Sequence, residues 1–168
     1  MFKKILVPLD GSALAAKVLP QVIDLAKTMQ AQVTLLHICY SPVAFGAGEA
    51  TPAVIEKAAD HATKWCGTFL GQTAKDLQAQ GLEVVFDCVE GVPARAIIAY
   101  AARNEMDLIA MASHGRGEVA WILGSIAEKV VSHATVPVLL IRVLKVAPPL
   151  LKGKLSQLKK EAELYITW

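Results

Sequence analysis

The amino-acid sequence predicts an α/β fold, in which a doubly wound parallel sheet of five strands is covered by helices on both faces. Short aliphatic stretches alternate along the chain with segments of helical periodicity, which implies right-handed crossovers between parallel strands. The composition agrees, because 54% of the 168 residues are hydrophobic and 19% are charged, as suits strands buried on both faces. The length fits one domain of ordinary size.

The first strand and the first helix are predicted within the first 30 residues. Residues 5–9 are an aliphatic stretch, and the turn that follows ends on Ser12, a preferred helix N-cap residue. Apolar residues then recur at spacings of three and four as far as Met29, which indicates one helix. Pro20 lies inside this helix, where its missing N–H predicts a kink.

The middle of the chain predicts a strand, a loop, a long helix and another strand, at residues 33–39, 40–51, 52–77 and 83–89. Thr51 and Pro52 form an N-cap and first-turn pair at the start of the long helix. Gly81 is placed to end it.

The last part of the domain predicts two further helix–strand pairs. Pro93 opens the first of these helices, and strands follow at residues 108–111 and 136–143. The inward-facing residues of the two helices are predicted to be Ile97, Ile98 and Ala101 in the first, and Ile122, Ile126, Ala127 and Val130 in the second.

The C-terminal segment differs in character from the rest of the chain. Pro148 and Pro149 interrupt it, and residues 150–165 then alternate apolar and charged positions as an amphipathic helix with a narrow apolar seam. The sequence therefore divides into a domain at 1–143 and an extension at 144–168. The added helix covers its own domain, pairs with another subunit, or lies on a membrane surface.

Charge, hydropathy and cysteine usage exclude several classes of protein. The net charge of +2 does not favour nucleic acid as a partner, and no apolar run approaches the ~20 residues of a membrane-spanning helix. The N-terminal apolar run stops at Pro8, which argues against an export signal. Cys39, Cys66 and Cys88 are odd in number and widely spaced, so we expect reduced cysteines, no metal site and a cytoplasmic protein.

A glycine-rich loop after the fourth strand is the predicted ligand site. It runs from Met111 to Glu118, and Gly124 and Ser125 follow at the start of a helix. Glycines allow backbone N–H groups to approach phosphate oxygens, and a helix N-terminus adds further donors and a positive dipole end. The usual P-loop and dinucleotide-binding patterns are absent. Asp10 follows the first strand, which suggests a phospho-accepting receiver domain, but this one aspartate is weak support for that class of protein.

Four segments together resemble the universal stress protein family. They are Ile5-Leu6-Val7-Pro8-Leu9-Asp10-Gly11-Ser12, Leu35-Leu36-His37-Ile38, Asp107 through Gly117, and Leu123-Gly124-Ser125 through Leu139. The resemblance runs from about Lys3 to Val143. It implies a cytoplasmic protein with the adenine-nucleotide α-hydrolase-like fold, in which the strands of the sheet are ordered 3-2-1-4-5.

The resemblance also implies an adenine nucleotide, ATP or AMP, as the ligand. Many members of the family bind ATP through Gly-x-x-Gly, nine residues, and Gly-Ser or Gly-Thr. Position by position, the adenosine end would contact Pro8, Asp10 and Ile38, with Asp10 suited to ribose hydroxyls or a nucleotide-bound magnesium ion. The phosphates would contact Met111, Ala112, His114, Gly115, Arg116, Gly117, Gly124, Ser125 and Ile126.

Two departures from the family pattern fall in the phosphate-binding part. Ala112 replaces the first glycine, and eight residues rather than nine separate Gly115 from Gly124. The methyl group of Ala112 either blocks close approach or is tolerated where the local φ is negative. These departures leave open a dimeric interaction protein of the same fold that no longer binds nucleotide.

The sequence contains no recognisable set of nucleophile, base and orienting group, so we expect no catalytic residues and at most slow ATP hydrolysis. His37 is interpreted as a structural or rim histidine, and His61 and His133 as surface or interface groups. The resemblance further implies a homodimer that pairs through the edge strand at residues 136–142, aided by the helix at 150–165. The predicted function is a dimeric, nucleotide-binding stress or signalling module.

Overall fold

A computed structural model describes residues 1–39, 52–114 and 123–143, with residues 52–59 described as backbone alone. The loop at 40–51, Ile122 and the C-terminal extension at 144–168, with its predicted helix at 150–165, lie outside the described residues. Among the helices that are described, none combines the length and the apolarity needed to cross a membrane.

Strands and helices alternate along the described chain as the hydrophobic pattern predicts. The strands are β1 (Lys4–Pro8), β2 (Gln32–Cys39), β3 (Val84–Glu90), β4 (Leu108–Ala112) and β5 (Val138–Ile141). The helices are α1 (Ala13–Ala16), α2 (Leu19–Met29), α3 (Pro52–Gln78), α4 (Pro93–Arg103) and α5 (Ser125–His133).

The five strands form one parallel sheet in the order β3-β2-β1-β4-β5. This order confirms the predicted fold class. Successive connections run outward in one direction from β1 to β3, and then in the other direction from β4 to β5. The order of strands therefore reverses between β1 and β4, which is the switch point where such sheets bind ligands.

Each face of the sheet packs against its own layer of helices. Alternate residues of β1 point to opposite faces, so Ile5 and Val7 pack with α2 and α3, whereas Leu6 packs with α4 and α5. All three side chains are fully buried. The continuous aliphatic stretches in the sequence are explained by this burial on both sides.

Pro20 divides the predicted first helix into two rather than kinking it. Helix α1 ends at Ala16, and α2 begins at Leu19 with Pro20 in its first turn. A proline is tolerated there because the first N–H groups of a helix have no intrahelical acceptor. Ser12 caps α1 as predicted, since its Oγ accepts a hydrogen bond from the N–H of Ala15 at 3.1 Å.

The prediction for Ile126 was wrong in part. Ala127 and Val130 of α5 are buried, but Ile126 is 40% exposed and lines a cleft at the carboxyl ends of the strands. A nine-residue helix on the sheet buries a narrow stripe, and Ile126 falls outside it.

The prediction of reduced cysteines was wrong for Cys66 and Cys88, which form a disulfide between α3 and β3. The two residues are 22 positions apart, but packing of α3 on β3 brings their Cα atoms to 6.3 Å, within the usual range for a disulfide. Cys39 is free and buried.

Candidate functional site

A cleft of about 680 Å³ lies beyond the carboxyl ends of β1, β2 and β4, at the switch point of the sheet. Its volume is typical of a small-molecule site. The cleft is lined by the ends of these strands and by parts of α3, α4 and α5. Of the predicted site residues, those that line it are Pro8, Asp10, Ile38, Met111, Ala112, His114, Gly124, Ser125 and Ile126.

The remaining three predicted site residues are Gly115, Arg116 and Gly117, which lie outside the described residues. The described part nevertheless contains both ends of the proposed nucleotide loop. One end is the carboxyl end of β4, and the other is the N-terminus of α5. Tertiary folding brings these two ends to one wall of the cleft.

The turn after β1 holds Asp10 at the rim of this cleft. Oδ1 of Asp10 accepts a hydrogen bond from the N–H of Ser12 at 2.9 Å, and Ser12 in turn caps α1. Gly11 between them has a φ of +80°, which favours glycine. This local network positions the Asp10 carboxylate at the end of β1.

Close backbone packing defines the wall at the N-terminus of α5. The N–H of Gly124 donates to the carbonyl oxygen of Ser113 at 3.0 Å, and the carbonyl of Gly124 accepts from Glu128 as the helix begins. A Cβ at position 124 would lie 3.1 Å from the Ser113 oxygen. A side chain at 124 would therefore push the Ser113 carbonyl away by a few tenths of an ångström, whereas the φ of −59° at Gly124 is open to any residue.

Ala112 occupies a position that needs no glycine. It is the last residue of β4 and pairs with Ile141 of β5 in the extended conformation of the sheet. Ala112 is not among the described residues with a positive φ, so its methyl group causes no backbone strain at this position.

Ser113 and His114 both line the cleft and are almost fully buried. Oγ of Ser113 lies 2.9 Å from Nδ1 of His114, and His114 is 5% exposed. The N–H of Val143 also reaches Oγ of Ser113, at 3.5 Å. This network ties the carboxyl end of β4 to the residues that follow β5.

His37 and Trp65 form an aromatic wall on the opposite side of the cleft. Nδ1 of His37 donates to the carbonyl oxygen of Leu9 at 2.7 Å, an orientation that assigns the proton to Nδ1. The His37 ring meets the Trp65 ring edge-on at 5.2 Å. His37 was predicted at the rim, where the structure places it, whereas Trp65 was not anticipated.

The local sequence around Trp65 offers little signal for its role. Its neighbours Ala62, Cys66 and Phe69 belong to the apolar stripe of α3, and Trp65 lies beside that stripe. Its position at the cleft depends on where α3 crosses the ends of β1 and β2.

The charge environment of the cleft does not indicate a metal centre. Among residues 1–39, 52–114 and 123–143, no group of three or more His, Cys, Asp or Glu side chains is placed to hold a metal ion.

Burial, with a smaller contribution from the Glu90 carboxylate, raises the pKa of the Cys39 thiol at the edge of the cleft. Cys39 is therefore a protonated, unreactive thiol at neutral pH.

The fold and the switch-point cleft agree with a known family of proteins. The sequence model of the universal stress protein family matches residues 1–142 of the chain. The chain belongs to the universal stress protein family. The match extends over every strand and helix described above, and it confirms the resemblance found in the sequence.

Individual universal stress proteins are similar to the chain over most of its length. Universal stress protein MJ0531 of Methanocaldococcus jannaschii is 30% identical over 148 residues, covering 84% of this chain and 83% of that protein. The solved structure of MJ0577 from the same organism is 29% identical, with a TM-score of 0.71, and the match covers 84% and 96% of the two chains.

A universal stress protein solved in complex with cAMP shares the fold. Its TM-score is 0.55 at 19% identity, and the match covers 84% of this chain and 98% of that one.

Proposed function

We propose that this universal stress protein is a regulatory module that binds an adenine nucleotide, ATP or AMP, in the switch-point cleft. The observation that carries the proposal is the combination of a helix N-terminus with a mostly apolar cavity in one cleft. A ligand that joins an anionic group to an apolar, planar group would fit both the helix N-terminus and the apolar cavity.

The wall at α5 supports the placement of phosphates. Ser125, Ile126 and Ala127 are the first residues of α5, and all three line the cleft. The first N–H groups of a helix lack intrahelical acceptors and carry the positive end of its dipole, so they favour an anion. The hydroxyl of Ser125 adds a further donor.

The ends of β1 and β2 support the placement of the nucleoside. Pro8 and Ile38 supply apolar surface, and Asp10 supplies a carboxylate at the rim. Carboxylates accept hydrogen bonds from ribose hydroxyls in other nucleotide-binding folds, and they also suit a magnesium ion held by the phosphates. The universal stress protein solved with cAMP shows that this fold can hold an adenine nucleotide.

We propose binding rather than turnover as the activity of the site. Nδ1 of His114 lies 2.9 Å from the hydroxyl oxygen of Ser113, and the side chain is almost fully buried. It is therefore poorly placed to activate a water molecule in the cleft. ATP hydrolysis should be slower than about 1 per second, the lower end of the range typical of enzymes.

The proposed module is a homodimer that pairs through the strand at residues 136–142. Strand β5 lies at the edge of the described sheet, and Leu139 and Val131 nearby expose apolar surface. Edge strands that carry exposed apolar groups are stabilised by pairing. Because β5 adjoins β4, nucleotide bound at the end of β4 would lie close to this interface.

Isothermal titration with ATP and AMP tests the nucleotide-binding proposal. We expect saturable binding by the wild-type protein, and at least tenfold weaker binding by Gly124→Val, because a side chain at 124 would displace the Ser113 carbonyl. The matched control is Gly67→Ala, since a Cβ at Gly67 meets no atom within 4 Å. The control should bind as the wild type does.

Two results would contradict the proposal. The absence of binding at millimolar ATP and AMP would favour an interaction protein that has lost its nucleotide, with Ala112 and the shortened loop as the reason. Unchanged affinity in a folded Gly124→Val protein, checked by circular dichroism, would place the nucleotide elsewhere.

A further inference from the structure

Trp65 is a large aromatic side chain that lines the cleft without belonging to the core. It is 42% exposed, and it contributes to the cleft wall together with Ala62, one turn earlier on α3. Leaving this much indole surface in water is unfavourable. A half-exposed tryptophan inside a concave site is the kind of residue that ligands cover.

The Trp65 ring is held in place from several directions. It stacks on Phe69 with centroids 5.3 Å apart and planes 14° from parallel, and it meets His37 edge-on. It also lies so close to the turn at Gly11 that a Cβ there would be 2.5 Å from Cη2 of the indole. The ring is therefore preorganised, and ordering it on ligand binding costs little entropy.

The disulfide fixes the segment of α3 that carries this ring. Cys66, the next residue, is bonded to Cys88 of β3, and Cys88 is the register partner of His37 in β2. The covalent link thus joins the residue next to Trp65 to the residue paired with His37. Movement of α3 away from the cleft is restrained at the residue adjacent to Trp65.

The aromatic wall and the helix N-terminus lie on opposite sides of β1. Trp65 contacts His37 of β2 and lies against the turn at Gly11 that follows β1, whereas α5 follows β4 on the other side. Two strand spacings separate β2 from β4, which is about 10 Å. A ligand that reaches both sides must carry a planar group at one end and an anion at the other.

We infer that Trp65 is the stacking wall for the base of the bound nucleotide and selects ligands with a planar aromatic base over bare polyphosphates. This inference rests on the proposed function and adds to it a residue that determines ligand class. Stacking of an aromatic side chain on a base tolerates different bases, because every base has a π-face. Trp65 therefore provides affinity for nucleobases in general.

Titration of ATP and of inorganic tripolyphosphate into four proteins tests the role of Trp65. The proteins are the wild type, Trp65→Ala, Trp65→Phe and the control Phe86→Ala, which removes an equally exposed aromatic ring outside the cleft. We expect Trp65→Ala to weaken ATP binding about tenfold or more and to leave tripolyphosphate binding unchanged. Trp65→Phe should retain most of the ATP affinity, and Phe86→Ala all of it.

A fluorescence measurement keeps the test independent of whether Trp65→Ala folds. The chain contains three tryptophans, so replacing Trp121 and Trp168 by Phe leaves Trp65 as the only one. ATP should quench its emission, and tripolyphosphate should not.

The possible outcomes separate this inference from the proposed function. ATP binding that is unaffected by Trp65→Ala, or an equal loss of ATP and tripolyphosphate binding, would overturn the stacking role and leave nucleotide binding intact. An unquenched Trp65 in a protein that binds ATP would do the same. Failure of the wild type to bind any nucleotide would overturn both.

Discussion

One carboxylate, that of Asp107, joins the start of β4 to the start of β1. Its Oδ2 accepts hydrogen bonds from the N–H groups of Lys3 and Lys4 at 2.7 and 2.9 Å. The N–H of Asp107 in turn donates to the carbonyl oxygen of Lys4. Asp107 therefore helps to align the two central strands at the end of the sheet opposite the cleft.

The hydrogen bond from Lys3, followed by that from Lys4, lowers the pKa of Asp107 from its usual value of 3.8. A carboxyl group whose pKa is lower in the folded state stabilises the protein above its unfolded-state pKa, and this stabilisation is lost as the pH falls through the folded-state pKa. We expect Asp107→Asn to melt at a lower temperature than the wild type at about pH 7, and the difference to narrow at about pH 3.

Thermal unfolding monitored by circular dichroism at both pH values checks this prediction. Asp60→Asn, which changes an exposed carboxylate on α3, is the matched control and should have little effect at either pH. An Asp107→Asn difference that is the same at both pH values would show that the charge of Asp107 contributes nothing.

At the scale of elements, helix α3 depends on a covalent link as well as on packing. Cys66, Leu70 and Leu77 are buried against the sheet on one side of the helix, and the disulfide joins that same side to β3. A link between residues 22 positions apart restricts the unfolded chain, and this restriction is the main source of its stabilising effect in the chain-entropy model.

Reduction of the disulfide should lower the free energy of unfolding by about 3 kcal/mol, the value expected for a loop of this length. Urea unfolding with and without a thiol reductant measures the change.

Cys39→Ala is the matched control, because this free cysteine is outside the disulfide. The reductant should destabilise the Cys39→Ala protein as much as it destabilises the wild type. A Cys66→Ala/Cys88→Ala protein should show no reductant effect. Equal urea midpoints for the oxidised and reduced wild type would refute the prediction.

At the scale of the whole molecule, the two edges of the described sheet are available for different uses. Strand β5 is at one edge with Leu139 37% exposed, and β3 is at the other with Val85 44% exposed. The two edges are thus similarly apolar at these positions. The proposed dimer uses β5. A charged side chain introduced into β5 should therefore disrupt the dimer, whereas one introduced into β3 should not.

We expect the wild type to be a dimer by size-exclusion chromatography with light scattering. Leu139→Lys should shift it to a monomer, because a lysine ammonium group in the interface would have to be desolvated without a partner. Val85→Lys, at the opposite edge, should remain a dimer. A monomeric wild type, or dissociation by Val85→Lys alone, would argue against the β5 interface.

Much of the fold could be predicted because its signals are local. The strands are aliphatic stretches, the helices have apolar residues at spacings of three and four, and Ser12 and Pro93 mark helix starts by their own chemistry. The same local reading erred at Pro20, where a proline suits the first turn of a new helix as well as it suits a kink. It also erred at Ile126, because a stripe of apolar residues does not show how much of it the sheet covers.

Short-range patterns and family motifs predicted the α/β class, most of the strand and helix positions, and the two loop ends that line the cleft. The folded structure was needed to show that Cys66 meets Cys88, that Trp65 lines the cleft, and that Gly124 packs tightly on Ser113. Each of these contacts joins separate elements of the fold. The crossover paths and the packing of helices on the sheet bring those elements together, and no local pattern encodes that packing.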